Sequence, residues 1–311
     1  MVDDCGYANK SGNLSVSYFD HIRACNNFDP SGFVPFIVDG VVVGQIKQSF
    51  SQLLREWPNL FVVSDESVGL AAEFNTFDTR TQAIAEVLPE LVDKCVLTHL
   101  HGEQYVATAT IREQGLFLID RAAAPYFGVR AFGQHINGFV RSEQGMKLWV
   151  AKRSADRRNF PGKLDNLVAG GLPYGISLQD NLKKECWEEA GIPPELAASA
   201  RPVGAVTYSA ETVQGYKPDT LYCYDLELSP DFQPQCTDGE VESFSLWPVE
   251  KVIDVVRDTA EFKLNCNLVV IDFLVRHGFI CPEDEGYVSL LQELRPPFFS
   301  VIAEHMLDLY P

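Results

Sequence analysis

The chain has 311 residues, 46% of them hydrophobic and 22% charged, enough to bury one large core or two ordinary ones without disulfide or metal staples. Its 43 acidic residues against 25 basic ones give a formal charge of −18, a field that repels polyanions and excludes general binding of DNA or RNA. No apolar run approaches the ~20 residues of a membrane span, so no membrane partner is expected.

The eight cysteines are scattered, with no CxxC pair and no Cys/His spacing of the zinc type. They read as free thiols of a reducing compartment. The N-terminal stretch MVDDCGYANKSG is acidic and polar, unlike a secretory or transit peptide, and a cytoplasmic location is expected.

Residues 33–46, FVPFIVDGVVVGQI, are two β-rich runs around Asp39-Gly40, a strong hairpin signal. Residues 49–57 have helical spacing and end before Pro58. Residues 78–95 read as an amphipathic helix with an Asp or Thr cap, bent near Pro89. Residues 104–111 and 116–121 read as strands. Together these predict a smaller α/β domain over residues 1–124.

Residues 125–311 read as a second domain. A hairpin over 135–154 has KLWVAKR as its second strand. A long, polar, glycine-punctuated loop follows, SADRRNFPGKLDNLVAGGLPYG, and then a helix. Strands are expected near 202–208 and 220–228, a strand running into a helix over 240–256, and a strongly apolar helix over 259–278. The tail from Cys281 holds one more short helix.

The helix after the loop carries the chemistry. Ser177 is a plausible N-cap with Asp180 three residues on. Leu178, Leu182, Cys186 and Ala190 lie close to one stripe that can face the core. Glu185, Glu188 and Glu189 share an adjacent face, where like charges three and four apart repel. They cluster at the C-terminal end, where the helix dipole disfavours anions. Gly191 ends the helix in the left-handed region, and Pro193-Pro194 prevents its resumption. A bound cation resolves the crowding, and Mg2+, a hard ion with oxygen ligands, fits it; a solvated acidic face is the alternative. The preceding glycines of AGGLPYG (169–175) let backbone approach a ligand closely.

Counted from Gly170, this segment resembles the Nudix box, G-x5-E-x7-R-E-U-x-E-E-x-G-U, with U aliphatic. Glu185, Glu188, Glu189, Gly191 and Ile192 fall on their slots. Ile176 stands where the box has its early Glu, Lys184 where it has Arg, and Cys186 fills the first aliphatic slot. The resemblance implies an α+β protein, a Nudix α/β/α sandwich with a mixed sheet preceded by the smaller α/β domain. It also implies Glu185 and Glu189 as principal Mg2+ ligands, with Mn2+ able to replace it. Glu188 is implied as ligand or base, and the Gly170 carbonyl as a further ligand. The stretches FVPFIVDGVVVGQI, FGQHINGFV, KRSADRRNFPGKLDNLVAGGLPYG and NLKKECWEEAGIP are similar to the thiamine pyrophosphokinase-related Nudix subgroup, which carries its own N-terminal domain. That likeness implies hydrolysis of thiamine diphosphate and, preferentially, its oxy and oxo analogues to monophosphates. Hydrolysis of another nucleoside diphosphate derivative stays open. So does a non-catalytic sensor of a diphosphate ligand, which Ile176 in place of Glu favours.

Two further stretches flank the helix. DGEVESF (238–244) offers Glu240 or Glu242 as a late carboxylate, ligand or base, against the alternative of a turn with surface glutamates. AKRSADRRNFPGK (151–163) is the basic stretch of an acidic chain. In it Arg153 can grip a phosphate bidentately, with Lys163, Asn166 and Gly171 as further substrate contacts. His135 reads as structural. The N-terminal domain can serve as a lid, a substrate-selecting wall or the seat of a homodimer, and the sequence leaves these open.

Overall fold

A computed structural model describes residues 16–109 and 111–297. The polar N-terminal stretch with Cys5, Thr110 of the expected strand over 104–111, and the tail beyond 297 lie outside the described residues.

The described chain opens with α1 (Val16–Cys25). β1 (Phe33–Val38) and β2 (Val41–Lys47) then pair through the expected turn, with φ 51° at Asp39 and 75° at Gly40. Positive φ at both central residues is the mirror-image turn that matches strand twist. α2 (Gln48–Leu54), β3 (Phe61–Val63) and β4 (Val68–Leu70) complete a four-stranded sheet in which β4 runs parallel to β1. α3 (Phe77–Asp93) starts at Thr76, whose Oγ1 accepts from Thr79 N at 3.2 Å while Thr76 N donates to Thr79 Oγ1 at 3.1 Å. This reciprocal cap satisfies two donors of the first turn. β5 (Gln104–Ala107) and β6 (Phe117–Asp120) form a separate antiparallel pair, and α4 (Ala124–Phe127) closes the region. Phe36, Ile46, Leu54, Ile84, Leu91, Phe117 and Phe127 form its core.

A seven-stranded mixed sheet follows. Its strands are β7 (Ala131–Ser142), β8 (Gly145–Arg153), β9 (Leu164–Asp165), β10 (Val168–Gly171), β11 (Arg201–Glu211), β12 (Tyr216–Glu227) and β13 (Val241–Pro248). The order is β11-β12-β7-β8-β13, with β12 parallel to β7. The first half of β7 pairs with β10 and the second half with β8. The stretch expected as one loop between β8 and the helix therefore holds two short strands. They are two and four residues long and gain their order from β7 and β8 rather than from an alternating pattern of their own.

The helices α5 (Leu178–Ala190), α6 (Pro194–Ala197), α7 (Val249–Asp258), α8 (Leu264–Arg276) and α9 (Tyr287–Glu293) cover the sheet. Successive residues of a strand point to opposite faces, and β7 uses both. Ile136 and Val140 pack with Val168, Leu182 and Cys186 on the α5 side. Phe139 packs with Leu148, Val150, Leu221 and the buried face of α8 on the other. This is the expected α/β/α sandwich. α1 joins that second core, burying Tyr18, Ile22 and Cys25, and His21 Nε2 lies 2.9 Å from the Val256 carbonyl. α8 begins five residues later than the apolar run suggests, because Leu164 N donates to Glu261 O at 3.0 Å and Lys263 N to Leu164 O at 2.7 Å. Backbone already committed to β9 cannot continue the helix. No helix among the described residues is long and apolar enough to cross a membrane. The described cysteines are free.

Candidate active site

α5 is fixed at both ends. Ser177 Oγ accepts from Asp180 N at 3.0 Å and donates to Asp180 Oδ2 at 2.6 Å, the expected cap. Gly191 closes the other end with φ 62°. The last carbonyls then meet an outside segment. Gln235 N donates to Ala190 O at 3.0 Å, and Thr237 donates through both N and Oγ1 to Glu188 O at 2.9 Å. These bonds satisfy groups a helix end leaves open. They also bring the 238–242 stretch alongside the carboxylates.

β10 runs under the same helix. A Cβ on Gly170 would lie 2.3 Å from Glu185 Cδ, so only glycine lets the carboxylate rest on this backbone. One position earlier, Ala169 N donates to Glu189 Oε2 at 2.8 Å. Glu189 is 6% exposed. Its burial, and next the charge of Asp165, push its pKa up to about 8 against the pull of the Ala169 N–H, and Glu185 and Glu240 add to the rise. Burial also raises the pKa of Glu185, with Lys184 working against it. Lys184 Nζ lies 3.1 Å from Glu185 Oε1 and 3.1 Å from Glu188 Oε2. Its own burial opposes its charge, but the two carboxylates prevail and lift its pKa to about 12. Glu188 is partly exposed.

The other expected site residues divide. Glu240 pairs with Arg157 and is near enough to Glu189 to raise its pKa. Glu242 turns to Lys152 at 2.8 Å in an exposed pair. Arg153 does not stand ready for a phosphate. It is 6% exposed, and its Nη1 donates to Asp165 Oδ2 at 2.8 Å, its Nη2 to Asn159 O at 3.1 Å and its Nε to Phe160 O at 3.2 Å. It braces the 154–163 loop from inside. Asn166 is likewise buried, bonded to His135 Nδ1 at 2.8 Å and donating to Asn137 Oδ1 at 3.0 Å. Lys163 Nζ donates to Ala260 O at 2.7 Å, which ties it to the approach to α8.

His135, Asp165 and Cys266 bring ligand-type atoms within 4.8 Å of one another on the side of Glu189 where Asp165 lies. Their bonds are already made. The Cys266 thiol donates to Asp165 Oδ1 at 2.7 Å, and Lys263 lies 3.5 Å from Asp165. Burial opposes the charge on Asp165, yet Lys263, His135 and Arg153 outweigh it and hold its pKa down. A carboxylate whose Oδ2 faces two cations and whose Oδ1 accepts the thiol proton has little left for a metal, so we assign this cluster to the floor of the site.

The wall opposite comes from the N-terminal half. The Gly171 carbonyl accepts from Asn181 Nδ2 at 2.9 Å, and a Cβ on Gly171 would lie 2.6 Å from the Tyr105 hydroxyl and 3.2 Å from Arg121 Cζ. Arg121 lies over the Tyr105 ring, 5.8 Å from its centroid, and its Nη1 donates to Glu103 Oε2 at 2.7 Å. Sequence reasoning missed Tyr105 and Arg121. The one local signal is a cation that directly follows the apolar strand FLID.

Residues 132–265 match the family described as NUDIX domain, and residues 17–131 match one described as Domain of unknown function (DUF4743). Over 305 residues the chain is 43% identical to "Nudix hydrolase 20, chloroplastic" of Arabidopsis thaliana, covering 94% of this chain and 82% of that protein. Over 293 residues it is 42% identical to "Nudix hydrolase 24, chloroplastic" of the same plant, covering 93% and 80%. The crystal structure of DR0079 from Deinococcus radiodurans superposes with a TM-score of 0.41 at 22% identity, covering 55% of this chain and 97% of that one. With a glycine strand under an acidic helix and relatives matched along most of their length, the chain belongs to the Nudix hydrolase family.

Proposed function

We propose that Glu185, Glu188, Glu189 and the Gly170 carbonyl hold Mg2+, with Mn2+ able to replace it. With it the protein hydrolyses thiamine diphosphate and its oxy and oxo analogues to the monophosphate and phosphate. The observation that carries the metal reading is the packing of two carboxylates of one helix onto the backbone of one strand, Glu185 on Gly170 and Glu189 on the Ala169 N–H. The donor set fits the ion, being all oxygen and hard. Glu189 is buried among like charges, and a divalent cation reverses that penalty. When bound, Mg2+ neutralises phosphate charge and acidifies a coordinated water. The chain supplies the rest. Glu240, held by Arg157 and close enough for its charge to act on Glu189, orients the attacking water, whereas Glu242 is turned to Lys152. Arg121 and Tyr105 face the leaving portion of the substrate across Gly171. The choice of thiamine diphosphate rests on the subgroup resemblance of the N-terminal and box segments.

The test is release of phosphate and monophosphate from a panel of thiamine, nucleotide-sugar and prenyl diphosphates with Mg2+. Turnover is expected on the thiamine compounds, fastest on the oxidised ones. Glu189→Gln and Glu185→Gln are expected to reduce it to background in folded protein. A folded Glu189→Gln that retains full turnover would overturn the metal assignment, and turnover confined to another class of diphosphate would overturn the substrate.

A further inference from the structure

We propose that Arg112, in the connection between β5 and β6, is a positioning residue of this active site, a clamp through which the N-terminal half sets the loop that leads into α5. The proposal rests on the reading of Glu185 and Gly170 as a metal site. The loop over residues 172–177 joins the glycine strand to the helix that bears the glutamates, so its position fixes how Glu185 meets Gly170. Within this element Ile176 offers only an aliphatic side chain, and Lys184 is turned to Glu185 and Glu188. The loop is instead held from outside. Arg112 Nη2 donates to Pro173 O and to Ile176 O, at 2.6 Å each. Tyr174 N donates to Gln104 O at 2.7 Å, tying the loop to β5, and the Tyr174 ring lies 5.9 Å from that of Phe77.

Arg112 is placed for this by its own connection. Thr108 Oγ1 lies 2.8 Å from the Ile111 carbonyl and 3.0 Å from that of Gln114. A Cβ on Gly115 would lie 2.2 Å from a Val106 methyl, so this connection folds tightly back on β5. The two N–H bonds of Nη2 diverge at a set angle within the guanidinium plane and so fix how the two carbonyls stand, which the freely rotating ammonium of a lysine does less well. Ile176 directly precedes the helix cap Ser177, so movement there is passed to the start of α5. Groups that orient first ligands without touching the ion change metal affinity or activity by about 10–100-fold when removed.

The experiment uses the full chain and three readouts: Mn2+ titration by electron paramagnetic resonance, kcat on the best diphosphate, and hydrogen exchange of amides 174–178. For R112A we expect Mn2+ affinity and kcat each to fall about 10-fold, with faster exchange at 174–178. R112K falls between R112A and wild type, and it carries the test should R112A fail to fold. A purely structural arginine would lower the melting temperature and leave the Mn2+ affinity of the folded protein unchanged. A folded variant with wild-type Mn2+ affinity therefore overturns the proposal. Exchange keeps the two readings apart. If wild-type protein takes up no Mn2+, the metal reading falls by itself. A fall in the kcat of folded R112A or R112K together with faster exchange at 174–178 then still supports the clamp, and unchanged kcat overturns it.

Discussion

The protonation of His135 follows from what surrounds it. Burial first, and next the charge of Lys263, push its pKa down to about 4 from the usual 6.5, so the ring is neutral at pH 7 and bonded to Asn166. A depressed folded pKa means that the unfolded chain takes the proton more readily. The associated stability is fully present above about pH 6.5 and is lost as pH falls through 4. One such group changes stability by at most about 1.4 kcal/mol per pH unit. Urea unfolding at pH 7, 6 and 5 is expected to show a steeper loss for wild type than for His135→Gln, and parallel slopes would remove His135 from the account. This structural role is legible in GQHINGF, where no second catalytic group stands nearby. Arg153 is the opposite case. A cation at a strand end of an acidic protein reads as a phosphate ligand, but its carboxylate lies 12 residues further on, and no local pattern tells a buried pair from a free one.

At the scale of the element, α5 is legible because its signals are local. The Ser177 cap, the core stripe and the terminal glycine sit within one stretch of sequence. Gly191→Ala tests the last of these. The residue has φ 62°, and an added Cβ would lie 2.9 Å from the Gln235 carbonyl. A cost of about 1–2 kcal/mol in urea unfolding is expected, and a loss below about 0.3 kcal/mol would show that another residue ends the helix. Two of the elements that escaped prediction depend on partners outside their own stretch. β9 and β10 are too short to show a period and are strands only against β8 and β7. The start of α8 was placed early because Phe262, apolar and buried, fits a helical run as well as it fits the bridge to Leu164. Arg112 was passed over because IREQG gives no sign of the loop that its side chain reaches 61 residues later.

The whole molecule is tied across its two halves by more than the active-site wall. α1 lies at the start of the described chain, yet Tyr18, Ile22 and Cys25 are buried with α7, α8 and α9. Removing the three contributes a loss of roughly 5 kcal/mol by area, comparable with the 5–15 kcal/mol that holds a typical protein folded. Deletion of residues 1–25 is therefore expected to give a chain that melts at least 10 °C lower or is recovered as aggregate. A deleted chain melting within about 2 °C of the full one would show the helix to be an accessory. The mixed sheet and the sandwich were legible through the family resemblance that the box carries. The return of α1 was not, since a ten-residue amphipathic stretch does not reveal which surface it will meet.

That return has a cost in time. α1 ends at Cys25 and α8 at Arg276, so α1 leaves the ribosome well before its partner. Translation at about 5–20 residues per second keeps the two apart for on the order of ten seconds or more. Throughout that interval Tyr18 and Ile22 have no seat, and a holdase or a neighbouring nascent chain competes for them. The second core is thus closed only when α1 and α8, made seconds apart, meet.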